Sequence, residues 1–553
     1  MKRIITILAI ICAIPFTLSS SYAERVEKSA EFSLHTLYKK PAIKSGASHL
    51  YDSDNNTGQA RALKTAFGHQ SRPSKDTFDD SANGHFRVHY NIEGKHAPDL
   101  TDRDGNSVPD FVDSTLVFLE IAWDKAVALG YGIPKSDASK GGSDAVDCYL
   151  EDLSVNGYYG HTTPDNNGLL GMTSAFITID NNFTDTVYQT TGYDGLRVTT
   201  AHEYFHVVQF AYYGGNDGIW WMEQTAVWFE DYVWDDINDY LNFTQYLFRN
   251  RDIPIDTNNG TFEYGAALFA IHIAEKYGID MIRTIWNRLK DKQSAEFDVV
   301  GSVLPNGPDE TLAELAVWLY FTSYRANPQD FFSESDLFDD KYSMIAVDNT
   351  VYTDPAVDSL LFSHYTFKYI DIVPETGLAV GDTLKCSYTN PDNGSWIRQV
   401  ILYNSPDDYS IELLNWQQPQ IYITRPYEKA VFVVTNISEK DIHSKYKFVY
   451  TIDIISPLSV HEKSLPASIV LHRNYPNPFN PQTTISYSLP SAAPVDLRIF
   501  NLQGQIIDSW SDSNAESGTH RYVFDGSFLP SGVYLIHLVA GDTRLTRKMT
   551  LLK

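Results

Sequence analysis

The spacing of apolar positions changes several times along this chain, and each change marks an element or a domain. Residues 4–18 form one apolar run behind Lys2 and Arg3 and ahead of the small-residue end Ser21-Tyr22-Ala23. A basic flank, a short apolar stretch and a small-residue exit describe a secretory signal peptide over residues 1–23, cleaved after Ala23. Residues 24–84 are polar and turn-rich with little periodicity. That suits either an N-terminal spacer or a pro-segment covering an active site until it is cleaved. From residue 85 the pattern sharpens. His85-Phe-Arg-Val-His-Tyr-Asn91 alternates and predicts a strand, as do residues 145–150 and 174–180. Residues 111–129, ending at Gly130, repeat at helical spacing. A helix with Val198, Ala201, Phe205, Val208 and Phe210 on one apolar surface is expected to start at Thr199 or Thr200, either of which can cap it. Further helices are expected over 218–231, from Gly260 to Gly278, over 281–290 and over 311–324, completing this domain near residue 345.

Beyond that point the period becomes two. Runs such as Val431-Phe-Val-Val-Thr435 and Tyr446-Lys-Phe-Val-Tyr-Thr-Ile-Asp-Ile454 are separated by Pro, Gly, Asn and Asp turns, the signature of a β-sandwich. The expected fold class is an α+β domain over 85–345 followed by two all-β sandwich domains, 346–460 and 461–553. Composition then removes partners. Lys+Arg number 43 against 70 Asp+Glu, a net charge of −27, which argues against nucleic acid and anionic membrane. No later stretch nears the roughly 18 apolar residues of a transmembrane segment. Cys12 lies in the leader, and Cys148 and Cys386 fall in different expected domains, so their pairing is left open.

The candidate chemistry sits in Thr200-Ala-His202-Glu203-Tyr-Phe-His206-Val-Val-Gln209. Residues at i and i+4 share a helix face, with Cβ atoms about 5–6 Å apart, so His202 and His206 can close on one Zn²⁺. Glu203 lies off that line yet within reach of a metal-bound water, as its general base. A third ligand at the spacing H-E-x-x-H-x-x-G-x-x-H is excluded, because Gln209 and Tyr212 occupy those positions. Glu223 on the next helix is the expected third ligand, and Glu230, seven residues on, is a backup ligand or a partner to a histidine. Three protein ligands leave one position open, as in catalytic zinc sites. The strand at 174–180, just before this helix, is either an ordinary core strand or the sheet edge on which an extended substrate pairs through its backbone.

Asp102, Asp104, Asn106, Asp110 and Asp113 stand at positions 1, 3, 5, 9 and 12 of a loop, with the Val108 carbonyl at position 7. These are the ligand positions of an EF-hand-like Ca²⁺ loop, although Ser107 replaces the usual glycine. The same residues also read as an acidic turn capping the helix that follows.

His202-Glu-Tyr-Phe-His206-Val-Val-Gln209 with Trp220-Trp-Met-Glu223-Gln-Thr-Ala226-Val-Trp228-Phe-Glu230-Asp231 resembles the exported bacterial metallopeptidases of the myxobacterial type, which are gluzincin-like; Gln224 stands where that pattern has glycine. The resemblance extends through the acidic loop. It implies a zincin-like fold, a zinc centre and hydrolysis of peptide bonds in a protein or peptide substrate. It also implies a downstream tyrosine or histidine that hydrogen-bonds the oxyanion, for which Tyr264 is the candidate. His272, on an apolar helical face, is expected to be a core residue. Asn474-Tyr-Pro-Asn-Pro-Phe-Asn-Pro481, Val495-Asp-Leu-Arg-Ile-Phe-Asn501, Leu529-Pro-Ser-Gly532 and the end Lys548-Met-Thr-Leu-Leu-Lys553 closely resemble the C-terminal sorting domain of type IX secretion substrates. That implies passage across the outer membrane by the type IX machinery, followed by release or attachment at the cell surface. The expected function is a secreted zinc metalloendopeptidase; the alternatives are an exported non-catalytic binding or adhesion protein on the same scaffold, or a zinc hydrolase with another substrate.

Overall fold

The computed structural model describes residues 71–552, apart from 166–171, 339–346, 353–354, 375, 415–418, 440–444, 457–467 and 475–476. The expected signal peptide and most of the expected spacer lie outside the described residues. The chain divides into two compact units that meet between Leu315 and Ala316.

The first unit is built on a five-stranded sheet. Strands β1 (Thr77–Asp80), β2 (Phe86–Tyr90), β3 (Val146–Glu151), β4 (Gly160–Pro164) and β5 (Ala175–Asp180) are ordered β1-β2-β3-β5-β4. β2, β3 and β5 run parallel, while β1 and β4 pair antiparallel at the two edges. Alternation along β2 does what its sequence predicts: Phe86, Val88 and Tyr90 are buried, while His89, on the other face, meets Asp147 at 2.7 Å. Helix α1 (Asp110–Ala128) makes the β2-to-β3 crossover and packs on β2 and on α2 (Gly192–Phe210). Helix α3 (Ile219–Val233) packs against α2. The short helix α4 (Phe262–Gly265) and α5 (Leu268–Tyr277) follow, and both contact α3.

Of the two readings of residues 174–180 the core strand holds, because β5 lies inside the sheet; the edge beside α2 belongs to β4, a strand that the apolar pattern does not announce. Three expectations change. Thr199 and Thr200 lie in the middle of α2 and do not cap it, because the helix begins at Gly192. β1 falls inside the stretch expected to be a spacer, so the sheet begins before residue 85. The helix expected from Gly260 to Gly278 is broken into α4 and α5.

The second unit contains two sandwiches. In the first, the sheet Asp408–Leu413, Trp396–Ser405, Lys429–Asn436, Thr366–Ile372, Asn349–Val351 faces the sheet Gln420–Tyr422, Thr383–Thr389, Tyr446–Ile455, Ala356–Phe362. Ile370, Val400 and Phe432 from one sheet share a core with Leu384, Phe448 and Tyr450 from the other, as aligned sandwiches require. The second pairs a three-stranded sheet (Val470–Leu471, Gln482–Leu489, Gly518–Asp525) with a four-stranded one (Ile506–Ala515, Ala493–Asn501, Gly532–Ala540, Thr543–Leu551). Its core joins Ile485, Tyr487 and Phe524 to Leu497, Ile536 and Met549. Cys148 and Cys386 are both buried free thiols. Among the described residues no helix is long and apolar enough to cross a membrane.

Candidate metal centre

Residues 198–210 of α2 are buried, so both imidazoles of the i, i+4 pair depend mainly on protein partners, with His202 alone reaching the cavity described below. The rings of His202 and His206 stand nearly perpendicular, at 84°, and their Nε2 atoms are 3.0 Å apart. Helix α3 brings Glu223 against both: Oε2 is 3.3 Å from His202 Nε2, and Oε1 is 3.5 Å from His206 Nε2.

The protons in this cluster are fixed by its surroundings. Thr225 Oγ1 donates to the carbonyl of Trp221 at 2.8 Å and so can accept from Gln209 Nε2 at 3.0 Å. Gln209 Nε2 also donates to the Met222 carbonyl at 2.9 Å. The other end of that amide, Oε1, therefore faces His206 Nδ1 at 2.7 Å as an acceptor, and Nδ1 must carry the hydrogen. His202 Nδ1 likewise meets Glu230 Oε1 at 2.5 Å. Both Nε2 atoms are left as lone pairs aimed at one place. Glu223 Oε2 is buried there with no hydrogen-bond donor. Of the two roles open to Glu230, the structure gives it the histidine-orienting one.

Three acceptors without a proton among them need a cation, because a buried carboxylate lacking a partner is costly. The separations suit zinc. A tetrahedron with bonds of about 2.0–2.1 Å has edges of about 3.3–3.4 Å, against 3.0, 3.3 and 3.5 Å here. His202, His206 and Glu223 form the one group of three or more His, Cys, Asp or Glu ligands found among the described residues. The same carboxylates and imidazoles shift one another's proton affinities. Burial alone would lower the pKa of His202, but its hydrogen bonds to Glu223 and Glu230 outweigh this and hold it well above the ordinary value. Burial raises Glu223, yet the two imidazoles hold it far below the usual carboxylate range. Burial pushes Glu230 up to about 7 against the pull of His202.

Glu203 is held from the sheet side. Thr162 Oγ1 on β4 lies 2.7 Å from Glu203 Oε2 and 2.9 Å from its backbone oxygen. A Cβ on Gly160 would come within 2.9 Å of Glu203 Cγ and of Thr199 Cγ2, so only glycine lets β4 approach this closely. Glu203, His202, Glu230, Tyr159 and Tyr264 line a cavity of about 80 Å³, well above the roughly 10–15 Å³ needed to admit a water. Tyr264, on α4, stacks on His202 with centroids 6.1 Å apart and an interplanar angle of 18°. Burial, together with Glu223 and Glu263, raises its phenol pKa well above the ordinary value, so it remains a hydrogen-bond donor.

The loop of Asp102, Asp104, Asn106, Val108, Asp110 and Asp113 is arranged differently. Asp102 accepts the N–H groups of Gly105 and Ser107, at 2.7 and 2.9 Å. Asn106 Nδ2 reaches Asp104 at 3.2 Å and Asp113 at 2.6 Å. The Val108 N–H donates to Asn106 Oδ1 at 2.7 Å. Asp110 is drawn to Arg103, with 2.9 Å from its backbone N–H and 2.7 Å from its guanidinium. These side chains close a turn ahead of α1, and no three of the loop's carboxylates draw together as His202, His206 and Glu223 do. Gln209 stands in the sequence as part of the metallopeptidase resemblance and as a non-glycine, with no role of its own expected, although a lone amide on an apolar helix face three residues after His206 is a readable signal. Sequence reasoning also passes over Thr162 and Gly160, which no pattern marks.

Residues 473–551 match the secretion system C-terminal sorting domain family. The chain is therefore an exported protein of the type IX secretion system, secreted or held at the cell surface, and that machinery is a partner. No curated protein matches the chain in sequence. Among solved structures, the g-type lysozyme inhibitor PliG of Salmonella Typhimurium is 15% identical over 19% of this chain and 96% of its own, with a TM-score of 0.15. The β-glucuronidase of Parabacteroides merdae is 8% identical over 36% of this chain and 28% of its own, at 0.13. That of Faecalibacterium prausnitzii is 10% identical over 34% and 36%, at 0.12. The chain thus spans about a third of either glucuronidase, and TM-scores this low carry no argument about its fold.

Proposed function

We propose that the first unit is a zincin-like, zinc-dependent metallopeptidase, with His202, His206 and Glu223 holding the ion and Glu203 as general base. The observation that carries this reading is the convergence of three proton-poor acceptors beside a fourth carboxylate that lines a cavity. Zinc, when bound, supplies Lewis-acid polarisation of a carbonyl and a lowered pKa for water. The chain's own residues do the rest. Thr162 steadies Glu203 Oε2, leaving Oε1 to take a proton from the attacking water and return it to the leaving amine. Glu230 and Gln209 keep hydrogens on the Nδ1 atoms, so both Nε2 lone pairs stay available. The protonated Tyr264 phenol donates a hydrogen bond to the developing oxyanion. Among the described residues no strand pairs with the outer side of β4, so it can offer backbone groups to an extended peptide, which supports a peptide substrate over a small ester.

The test uses the mature chain loaded with zinc. Wild type is expected to cleave casein and to stop when a chelator is added. Glu203→Gln should keep its zinc and lose about 10²–10⁴-fold in kcat. Wild-type turnover by zinc-loaded Glu203→Gln would remove Glu203 as the base. A zinc-loaded wild type that cleaves no peptide would leave an exported binding protein on a metal scaffold.

A further inference from the structure

The cavity beside Glu203 has apolar walls and an acidic floor. Tyr158, Tyr159, Val198, Val227 and Phe243 supply aromatic and aliphatic surface; Glu203, Glu230 and Asp239 supply carboxylates; among the described residues no lysine or arginine lines it. Asp239 is only 8% exposed, and its hydrogen bonds are lopsided. The hydroxyl of Thr190 and Nδ2 of Asn242, the latter at 3.0 Å, both donate to Oδ1. Oδ2 is thereby left to the cavity. Two neutral donors on one oxygen do not compensate a buried charge. At Glu230, His202 takes Oε1, and Glu203 is held by Thr162 as the proposed base, which leaves Asp239 as the lining carboxylate outside the metal-binding and base machinery. Nothing in the fold of this region needs an uncompensated acid at the bottom of an apolar slot.

We infer that this cavity receives a basic side chain of the substrate, so that the enzyme cuts peptides beside lysine or arginine. The methylene stem lies along the tyrosines and valines, as long cationic side chains do on apolar surface, and the charged head meets Asp239 Oδ2 in a charge-assisted hydrogen bond. The choice of bond cut rests on the peptidase reading above; the recognition of a basic side chain does not.

The experiment separates the two. Zinc-loaded Glu203→Gln, as the mature chain, is titrated with two blocked hexapeptides that differ only in lysine against norleucine at one position. The lysine peptide is expected to bind about tenfold tighter. Adding Asp239→Asn keeps an acceptor for Thr190 and Asn242 and removes only the charge, so the preference should vanish while zinc content and circular dichroism stay unchanged. Equal affinities, no binding of either peptide, or a preference that survives Asp239→Asn would overturn the inference. Wild-type cleavage of mixed peptides away from basic residues would overturn it too. A lysine preference in a protein that cleaves nothing would keep this site and discard the peptidase reading.

Discussion

In the loop from Asp102 to Asp113 every carboxylate accepts a hydrogen bond, Asp104 and Asp113 sharing Asn106 Nδ2, whereas around Glu223 three acceptors face one another. Both stretches hold residues of metal-ligand type at metal-ligand spacing. They differ in what the rest of the fold has done with those residues. The loop is largely exposed, so its acids are hydrated as well as bonded within the turn, and leaving it without an ion costs little. The α2–α3 cluster is buried, and its polar neighbours, Gln209 and Glu230, are spent on holding the rings in one tautomer. A ligand set is thus recognised by an unmet need, and residue order alone does not supply one.

The sharpest way to break this contrast is to remove one acid from each region. Glu223→Ala is expected to abolish stoichiometric zinc by metal analysis, from about one ion to none, since structural affinity needs the full ligand set. Asp104→Ala should retain the zinc and change stability in calcium buffer by no more than about 0.5 kcal/mol, as surface substitutions do. A loss of several kcal/mol on Asp104→Ala would make the loop a second metal site and erase the difference. A smaller effect probes the ring anchors. Gln209→Leu keeps the ligands but frees His206 to change tautomer, and competition with a chromogenic chelator should show zinc held about 10–100-fold less tightly. Unchanged affinity would mean that packing alone orients the ring.

How much of this was readable beforehand depended on whether local pattern or distant packing set the element. The alternation Phe86-Arg-Val-His-Tyr90, and that along Tyr446–Ile455 and Gly532–Ala540 in the two sandwiches, buries one side chain in two over most of its length, which the sequence displays directly. The histidine pair needed only the pitch of a helix. The start of α2 was hidden, because Gly192 and Gly195 are poor helix formers. There the third dimension decides: a Cβ at Gly195 would lie 2.8 Å from the Thr190 carbonyl and 3.0 Å from the Phe183 ring, so glycine is what allows the helix to pack at all. β4, Gly-His-Thr-Thr-Pro, has no apolar alternation, and a proline at its end suits an edge strand. β1, Thr-Phe-Asp-Asp, is half exposed and has one large apolar side chain to announce it.

The last comparison is between histidines. His202 is surrounded by acids, whereas His272 on α5 is fully buried in an apolar setting, with Glu314 no nearer than 4.0 Å. Burial, with a smaller push from Lys276, lowers its pKa from 6.5 to about 3, so the distant carboxylate does not offset desolvation. The sign follows from proton counting. Below pH 6.5 the unfolded chain binds a proton at this site that the folded chain refuses, and so the stability it contributes is present above that pH and is lost progressively down to about pH 3. Between pH 6.5 and 5.5 the loss should be about 1 kcal/mol. His272→Phe removes this slope, so the wild type's urea midpoint should fall relative to that of His272→Phe as pH drops over that range. Two midpoints that move together, or a wild type that gains on the variant toward acid, would mean that His272 is charged in the folded protein and belongs with the acid-paired histidines.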